Sequence, residues 1–360
     1  MDSAALTKEL VEIPSHEDET EAGDRIEQWL RTETDATVER DTHGNVIARR
    51  GDGDTSLAFV GHHDVVPPDP SQERDGGYVV EEHDGRIYGR GAADMKGAVA
   101  AAMCAFRDAE VSGYELVFAS FVGEEVGGTG ARGALEDGFA PDYAVVGEGS
   151  TNYSKQGVTD VVVAHRGRRG STVHVEGKAA HASEPEAGEN AIYRASDAID
   201  VVRDLPFPET TVLGHEMRGS IAVTEIDGGT AWNVIPEGCS VTIDERTVPN
   251  ERTPLSHVEE VPGVRVEVDQ DLPPMACDDA EFADLVLDAA TAMQDKTPEH
   301  VLKPHATDAG WLAEAGTTCV VCGASEPEEA HTADESVSVD VLDRCYDIYR
   351  QCGEQFETLL

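Results

Sequence analysis

The pattern of apolar residues changes twice along this chain of 360 residues. In the first part, apolar strands such as "LAFVGHHDVVP" and "YELVFASFV" alternate with helical segments such as "KGAVAAAMCAFRDAE". Strands that alternate with helices indicate an α/β layer built on a mostly parallel sheet. From about Arg168 to Val268, segments such as "GSTVHVEG" and "CSVTIDERTV" alternate apolar with polar residues, which is typical of a sheet with one face in solvent.

The α/β pattern returns after "DLPPMACDD", with the helix "AEFADLVLDAATAM", the strand "TTCVVCG" and a terminal helix from about Val337. We therefore predict a discontinuous α/β domain, residues 1–167 and 273–360, with a mostly parallel sheet flanked by helices. Residues 168–272 are predicted to form a smaller inserted α+β domain, whose one helix is "ENAIYRASDAIDVVRDL".

The net charge of the chain limits the kinds of partner that it can bind. The formal net charge is −45, from 72 acidic against 27 basic residues, and such a surface repels nucleic acid and anionic lipid. Because the acids are scattered along the whole chain, we interpret them as a solvated shell suited to a high-salt cytoplasm, with a polycationic partner as the alternative. No apolar run is long enough to span a membrane, and "MDSAALTKELVEIP" does not resemble a signal peptide, so we expect a cytoplasmic protein.

The seven cysteines show no disulfide framework and are expected to be reduced. Cys319 and Cys322 form a CxxC motif, which can bind metal or carry redox chemistry. Because no second cysteine pair lies nearby, we predict instead that both pack as small apolar residues in a strand.

Candidate functional residues follow the apolar strands. In "GHHDVVP", the two-residue period of a strand places His62 and Asp64 on one face, and a histidine oriented by a carboxylate is common at metal sites. Taken alone, His62 is more often structural, and Asp94 in "GRGAADMKG" can equally be a helix cap.

More potential ligands occupy similar positions further along the chain. Glu124 and Glu125 follow one strand, Glu148 follows another, and His331 lies in "EEAHTADESV". Open α/β sheets bind ligands at the carboxyl ends of their strands, so these residues are expected to converge. Mixed histidine and carboxylate ligands suit zinc, and a shared carboxylate can hold two metal ions.

Seven motifs occur along nearly the whole chain in the order "GHHDVVP", "GRGAADMKG", "GEEVGGTGA", "GEGS", "AAHASEPEAGENAI", "GGTAWNVIP" and "HTADESV". These motifs and their order resemble those of the dinuclear-zinc amidohydrolase family. That family includes acetylornithine deacetylase, succinyl-diaminopimelate desuccinylase, aminoacylase and glutamate carboxypeptidase.

The resemblance implies a catalytic domain that holds two zinc ions per subunit, with cobalt or manganese as substitutes. His62 and Glu148 would bind one ion, Glu125 and His331 the other, and Asp94 would bridge them. Asp64 would fix the tautomer of His62, and Glu124 would act as the general base that later protonates the leaving amine.

For the inserted domain, the resemblance implies a lid that also forms a homodimer. His181 and Asn233 resemble residues that approach the substrate from the partner subunit, although His181 can instead cap a turn. Arg168 and Arg246 can pair with a substrate carboxylate, because the guanidinium group matches it in shape, or they can form ordinary salt bridges.

The function implied is hydrolysis of the amide bond of a small N-acyl amino acid, of the deacetylase or desuccinylase type. A dipeptidase or carboxypeptidase acting on short peptides is the alternative, and a catalytically inactive metal-binding interaction protein is a more remote one. Gly149 stands where relatives commonly have proline, and Gly310 stands where an arginine is usual, so the resemblance does not identify the substrate.

Overall fold

The computed structural model describes residues 2–360, which form two compact units. The first unit comprises the chain up to Ala164 together with Met275–Lys303 and Thr307–Leu360. The inserted unit comprises His165–Pro274 and the short stretch Pro304–Ala306.

The helices of the first unit have apolar faces that are buried. In α2, Ala22, Ile26, Trp29 and Leu30 recur at helical spacing and are all buried. The helices of this unit are α1 (Ser3–Val11), α2 (Thr20–Glu33), α3 (Gly97–Asp108), α4 (Thr129–Glu136), α6 (Ala280–Ala292), α7 (Asp308–Glu314) and α8 (Val339–Gln355).

The strands of the first unit include short ribbons and the strands of one large sheet. They are β1 (Thr37–Arg40), β2 (Val46–Gly51), β3 (Ser56–His62), β4 (Glu73–Arg74), β5 (Gly77–Tyr78), β6 (Glu81–His83), β7 (Arg86–Tyr88), β8 (Glu115–Phe121), β9 (Tyr143–Val146), β10 (Val161–His165), β19 (Met275–Ala276), β20 (His300–Lys303), β21 (Thr318–Val321) and β22 (Ser336–Ser338).

The large sheet has the strand order β1-β2-β8-β3-β9-β21-β10-β19, with β20 paired to β10. Its centre is parallel, because β8, β3, β9 and β21 all run in the same direction. Antiparallel pairs, β1 with β2 and β10 with β21, lie toward the two sides. All seven residues of β3 are buried, as expected for a strand that lies in the middle of a sheet and is covered on both faces.

One hydrophobic cluster of this sheet includes Val60, Val117 and Val321, and Leu312 of α7 packs into it. The seven cysteines are buried free thiols, which agrees with their expected reduced state. Burial raises the pKa of the Cys322 thiol to about 12, so this thiol is uncharged at neutral pH.

The inserted unit is an antiparallel sheet covered by one helix. The helix is α5 (Ala191–Asp204), and the strands are β11 (Arg168–Glu176), β12 (Ala180–His181), β13 (Glu209–Val212), β14 (His215–Arg218), β15 (Ser220–Gly228), β16 (Val234–Ile235), β17 (Gly238–Arg246) and β18 (Val264–Leu272). The main sheet has the order β15-β17-β11-β18. Val173, Val241 and Ile243 of this sheet pack with Ala195 and Ala198 of α5.

No helix within residues 2–360 combines the length and the apolar character needed to cross a bilayer.

Candidate active site

Three parallel strands end at one edge of the large sheet, and a residue that can bind metal lies at or just beyond the end of each. His62 is the last residue of β3, Glu125 lies four positions after β8, and Glu148 lies two positions after β9. Because β8 and β9 both pair with β3 in parallel, the three side chains lie at the same edge. This is the edge at which open α/β sheets commonly bind ligands.

Asp94 reaches the same region from an irregular turn. The turn spans Ala92–Lys96 and precedes α3, and Asp94 has non-helical backbone angles. Glu335 holds this turn, because its Oε1 accepts hydrogen bonds from the backbone N–H of Ala93 at 3.0 Å and of Asp94 at 3.1 Å. Arg90 forms a buried ion pair with Glu335. Glu335 and Arg90 were not predicted as site residues, although Glu335 lies in the same short motif as His331.

Five side chains form two overlapping groups that share Asp94. The first group is His62, Asp94 and Glu148, and the second is Asp94, Glu125 and His331. Within each group, one potential ligand atom per residue lies within 4.8 Å of the others. The structure therefore brings together all five residues that were predicted as metal ligands, with Asp94 in the shared position.

The Asp94 carboxylate lies between two histidines. Its Oδ1 is 3.1 Å from His62 Nε2, and its Oδ2 is 3.1 Å from His331 Nε2. Burial alone would raise the pKa of Asp94, but the hydrogen bonds to His331 and His62 outweigh it and lower this pKa. Hydrogen bonds to Asp94 and Glu125 raise the pKa of His331 to about 10.

Asp64 contacts both His62 and the loop that carries Glu124 and Glu125. Its Oδ1 lies 3.2 Å from His62 Nδ1, so the opposite ring nitrogen of His62 faces Asp94. The same carboxylate accepts hydrogen bonds from the backbone N–H of Glu124 at 3.1 Å and of Glu125 at 3.0 Å. Burial would raise the pKa of Asp64, but His62 and these N–H groups lower it, and the carboxylate is ionised. The predicted role of Asp64 at His62 did not include its contact with the Glu124–Glu125 loop.

The ligand set fits divalent metal ions. Each group offers one histidine nitrogen and two carboxylate oxygens, which is a donor set suited to zinc and similar ions. The carboxylates of Asp94, Glu125 and Glu148 bring negative charge close together in the site, and burial together with the neighbouring Asp94 raises the pKa of Glu125. Two dications would neutralise this charge, and a cation held near several buried carboxylates is the usual solution to their repulsion.

Glu124 differs from Glu125 although the two are adjacent. Glu125 Oε1 lies 2.9 Å from His331 Nε2, whereas the Glu124 carboxylate has no hydrogen-bonding partner within residues 2–360. Burial, with contributions from Asp308, Glu148 and Asp94, raises the pKa of Glu124 well above its ordinary value. A carboxylate with a raised pKa and no ligand role is suited to proton transfer.

Two further charged groups at this site were not predicted. Asp308 at the start of α7 is buried, and neither of its carboxylate oxygens has a hydrogen-bonding partner among the described residues. Lys303 at the end of β20 is also buried, and its Nζ lies 3.7 Å from Glu148 Oε2. Both occur in "KPHATDAGW", the stretch that also contains Gly310.

The inserted unit brings the other predicted residues together in pairs. His181 in β12 pairs with Val234 in β16, and the carbonyl of Asn233 accepts a hydrogen bond from the N–H of Ala182 at 3.0 Å. The His181 side chain is exposed, and its Nδ1 accepts a hydrogen bond from the backbone N–H of Ser183 at 3.2 Å.

Arg168 and Arg246 share one carboxylate. Asp244 Oδ2 accepts a hydrogen bond from Arg168 Nε at 2.9 Å, and Asp244 Oδ1 accepts one from Arg246 Nε at 2.7 Å. The shared Asp244 therefore holds two guanidinium groups in one cluster, which has a formal charge of plus one.

Known proteins resemble this chain over much of its length. The chain is 31% identical over 334 residues to an acetylornithine deacetylase of Myxococcus xanthus, which covers 86% of the chain and 83% of that protein. It is 33% identical over 209 residues to a succinyl-diaminopimelate desuccinylase of Acidiphilium cryptum, which covers 56% of the chain and 55% of that protein.

Among solved structures, the aminopeptidase PepT of Bacillus cereus superposes with a TM-score of 0.82 at 22% identity, covering 99% of this chain and 98% of that one. A Bacillus subtilis protein described as a dinuclear metal-binding peptidase of family M20 superposes with a TM-score of 0.72 at 18% identity, covering 99% and 98%. These likenesses show the fold. The sequence profile of peptidase family M20/M25/M40 matches residues 58–355, and the chain belongs to this family of hydrolases.

Proposed function

We propose that this protein is a metal-dependent hydrolase that cleaves the amide bond of an N-acyl amino acid. The observation that carries the proposal is the pair Glu124 and Glu125, one carboxylate free and one engaged with His331, beside two ligand groups that share Asp94. We propose two zinc ions for these groups, held by His62, Asp94 and Glu148 and by Asp94, Glu125 and His331. When bound, the metal ions would polarise the substrate carbonyl and lower the pKa of water at the site.

In this proposal, Glu124 moves the proton. Its carboxylate accepts the proton of the attacking water and delivers it to the nitrogen of the leaving amine. The contact between its backbone N–H and Asp64 holds the loop in place, so the side chain is positioned without occupying a ligand site. Burial of Glu124 raises its pKa, which suits a group that must both accept and return a proton.

His181 is proposed to stabilise the negative charge that develops on the carbonyl oxygen. Its Nδ1 lies 3.2 Å from the backbone nitrogen of Ser183 and 2.6 Å from Ser183 Oγ, and we propose the tautomer in which Nδ1 accepts from this N–H and Nε2 carries the proton. An exposed Nε2–H is a suitable donor to an oxyanion. We propose that this histidine acts on the active site of the partner subunit, together with Asn233.

The arginine cluster supports a substrate with a carboxylate. Arg168 and Arg246 each bond to Asp244, so the pair retains one unbalanced positive charge in a protein that is otherwise strongly acidic. We propose that this cluster binds the carboxylate of the substrate, on the part that is released as the free amino acid. Dipeptides and short peptides also end in a carboxylate, so a peptidase remains the second candidate. The 31% identity to an acetylornithine deacetylase favours a deacylase.

We also propose a homodimer through the inserted unit. Strand β15 is at an edge of its sheet, and this edge offers unpaired backbone groups to a second chain. Exposed apolar side chains lie on or next to it, including Ile226 in β15 and Tyr193 in α5. The side chain of Ile192 in α5 lies close to Gly228 at the end of β15, which places the helix and the strand side by side.

The experiment that tests the proposed activity is an assay of the purified protein with zinc or cobalt. N-acetyl amino acids, N-succinyl amino acids and dipeptides would be compared at equal concentration, with Glu124→Gln as the inactive control. Hydrolysis of an N-acyl amino acid with the highest kcat/KM supports the deacylase. A higher kcat/KM for dipeptides would favour the peptidase, and failure to cleave any of the three classes would contradict the proposal.

A further inference from the structure

Five side chains form the two ligand groups, and their carboxylates pair mainly with histidines. Within residues 2–360, Lys303 is the only lysine or arginine that forms an ion pair within 4 Å with one of these carboxylates. Its side chain is buried at the end of β20, and its Nζ donates a hydrogen bond to the carbonyl of Gly149 at 2.8 Å. The ring of Tyr153 lies 5.8 Å from the same Nζ. A buried lysine held in this way has little freedom to move, so its charge is fixed beside Glu148.

The two oxygens of Glu148 face different partners. Oε1 lies 3.4 Å from His62 Nε2, on the side of the first ligand group, and Oε2 lies 3.7 Å from Lys303 Nζ. The second ligand group is different, because the ion pairs of Glu125 and Asp94 within 4 Å are with histidines. The two groups therefore differ in the charge that surrounds their carboxylates.

From this geometry, we propose that Lys303 is a positioning residue that holds Glu148 Oε2 by its positive charge. Glu148 would then give only its other oxygen to the metal ion that it binds with His62 and Asp94. The inference rests on the proposed metal-dependent function. A carboxylate that binds through both oxygens would occupy one more coordination position. Restricting Glu148 to one oxygen keeps that position open for water or substrate, as catalytic metal sites require.

The charge of Lys303 is what the proposal needs, and its hydrogen bond to Gly149 is a separate structural role. Lys303→Gln can keep a donor near the Gly149 carbonyl while removing the charge, and Lys303→Arg keeps the charge. Lys155, which forms an exposed ion pair with Glu299, offers a matched control. Lys155→Gln removes the same charge from the chain without affecting Glu148.

The test isolates the first ligand group with cobalt(II). In a His331→Ala background, which disables the second group, the metal-free protein is titrated with cobalt(II) and its visible absorption is recorded. Higher coordination numbers give weaker absorption per cobalt ion, so Lys303→Gln is expected to lower the intensity by roughly twofold or more. Its cobalt affinity is expected to rise several-fold, because Glu148 loses a competing cation. Lys303→Arg and Lys155→Gln should keep the parent spectrum.

An unchanged spectrum for Lys303→Gln would overturn the inference whatever the affinity, and so would weaker cobalt binding. Lys303→Met, an apolar side chain of similar length, provides the same test if circular dichroism shows that the glutamine variant does not fold. Cobalt binding by the protein without any substitution separates a failure of the proposed function from a failure of the inference about Lys303. If it fails to bind two cobalt ions, the proposed function is wrong, whereas two-ion binding with an unchanged Lys303→Gln spectrum contradicts the role of Lys303 alone.

Discussion

His331 and Glu125 are 206 positions apart in the chain, yet His331 Nε2 lies 2.9 Å from Glu125 Oε1. The contact engages Glu125, while the carboxylate of its neighbour Glu124 has no hydrogen-bonding partner in the described part of the chain. Two adjacent acids are thereby separated into one that can bind a metal ion and one that can transfer a proton.

Glu124→Gln is expected to lower kcat by about 100-fold or more, the usual scale for loss of a general base, while both metal ions are retained. The substitution keeps the size of the side chain but removes its ability to accept a proton. Metal content by mass spectrometry and steady-state kinetics on the same samples test this. Glu125→Gln serves as the matched variant and should lose metal. A fall in metal content with Glu124→Gln that parallels its loss of activity would show that Glu124 is a ligand.

For His181→Ala, we expect kcat to fall by roughly 100-fold, the scale of losing one oxyanion donor, again with both metal ions retained. Mixing this variant with inactive Glu124→Gln protein, under conditions that allow subunits to exchange, should recover part of the activity. Such a heterodimer contains one site with both Glu124 and the partner's intact histidine. Native mass spectrometry would verify that heterodimers have formed. Verified heterodimers without activity would exclude the role across subunits.

Asp308 is predicted to make the stability of the metal-free protein depend on pH. Burial raises the pKa of Asp308 from 3.8 to about 7, so the folded state binds more protons than the unfolded state between these values. The contribution of this group to the free energy of unfolding is therefore largest at low pH and decreases as the pH rises from about 4 to about 7. Asp308→Asn lacks this dependence and should gain stability relative to the parent over that range, by a few kcal/mol at roughly pH 8.

Urea unfolding of the metal-free proteins at several pH values would measure the Asp308 effect, with the exposed Asp288→Asn as the control. Added metal ions should reduce the difference, because their positive charge favours the ionised form of Asp308. A stability difference that does not change between pH 4 and pH 8 would contradict the prediction.

The net charge of −45 leads to a prediction about salt. Repulsion among the acids destabilises the compact state, and the screening length falls to about 3 Å at 1 M salt. We expect both the thermal midpoint and the activity to rise up to molar KCl. Sucrose at equal osmolality is the control, because it does not screen charge. A midpoint that stays constant or falls between low and molar KCl would argue against adaptation to high salt.

The sequence predicts helices and strands well where the apolar pattern is clear, as in the helical repeat of α2 and the continuous apolar run of β3. The ligands that follow strands could be predicted because parallel strands end at one edge. The roles of Lys303 and Asp308 could not, because each depends on contacts with residues distant in sequence, and a single buried lysine or aspartate has no local pattern. The contact of Asp64 with the Glu124–Glu125 loop is similar, since it depends on how β3 and β8 align.

The position of β21 also has a consequence for synthesis on the ribosome. This strand lies between β9 and β10, pairing with Val146 on one side and Val162 on the other, although both neighbours precede the inserted unit in the chain. A nascent chain that ends after the inserted unit therefore has exposed edges on β9 and β10, which are open to pairing with other chains. The large sheet and the second ligand group are completed only when residues 318–331 have emerged, so early release of the chain would leave an aggregation-prone intermediate without its full set of metal ligands.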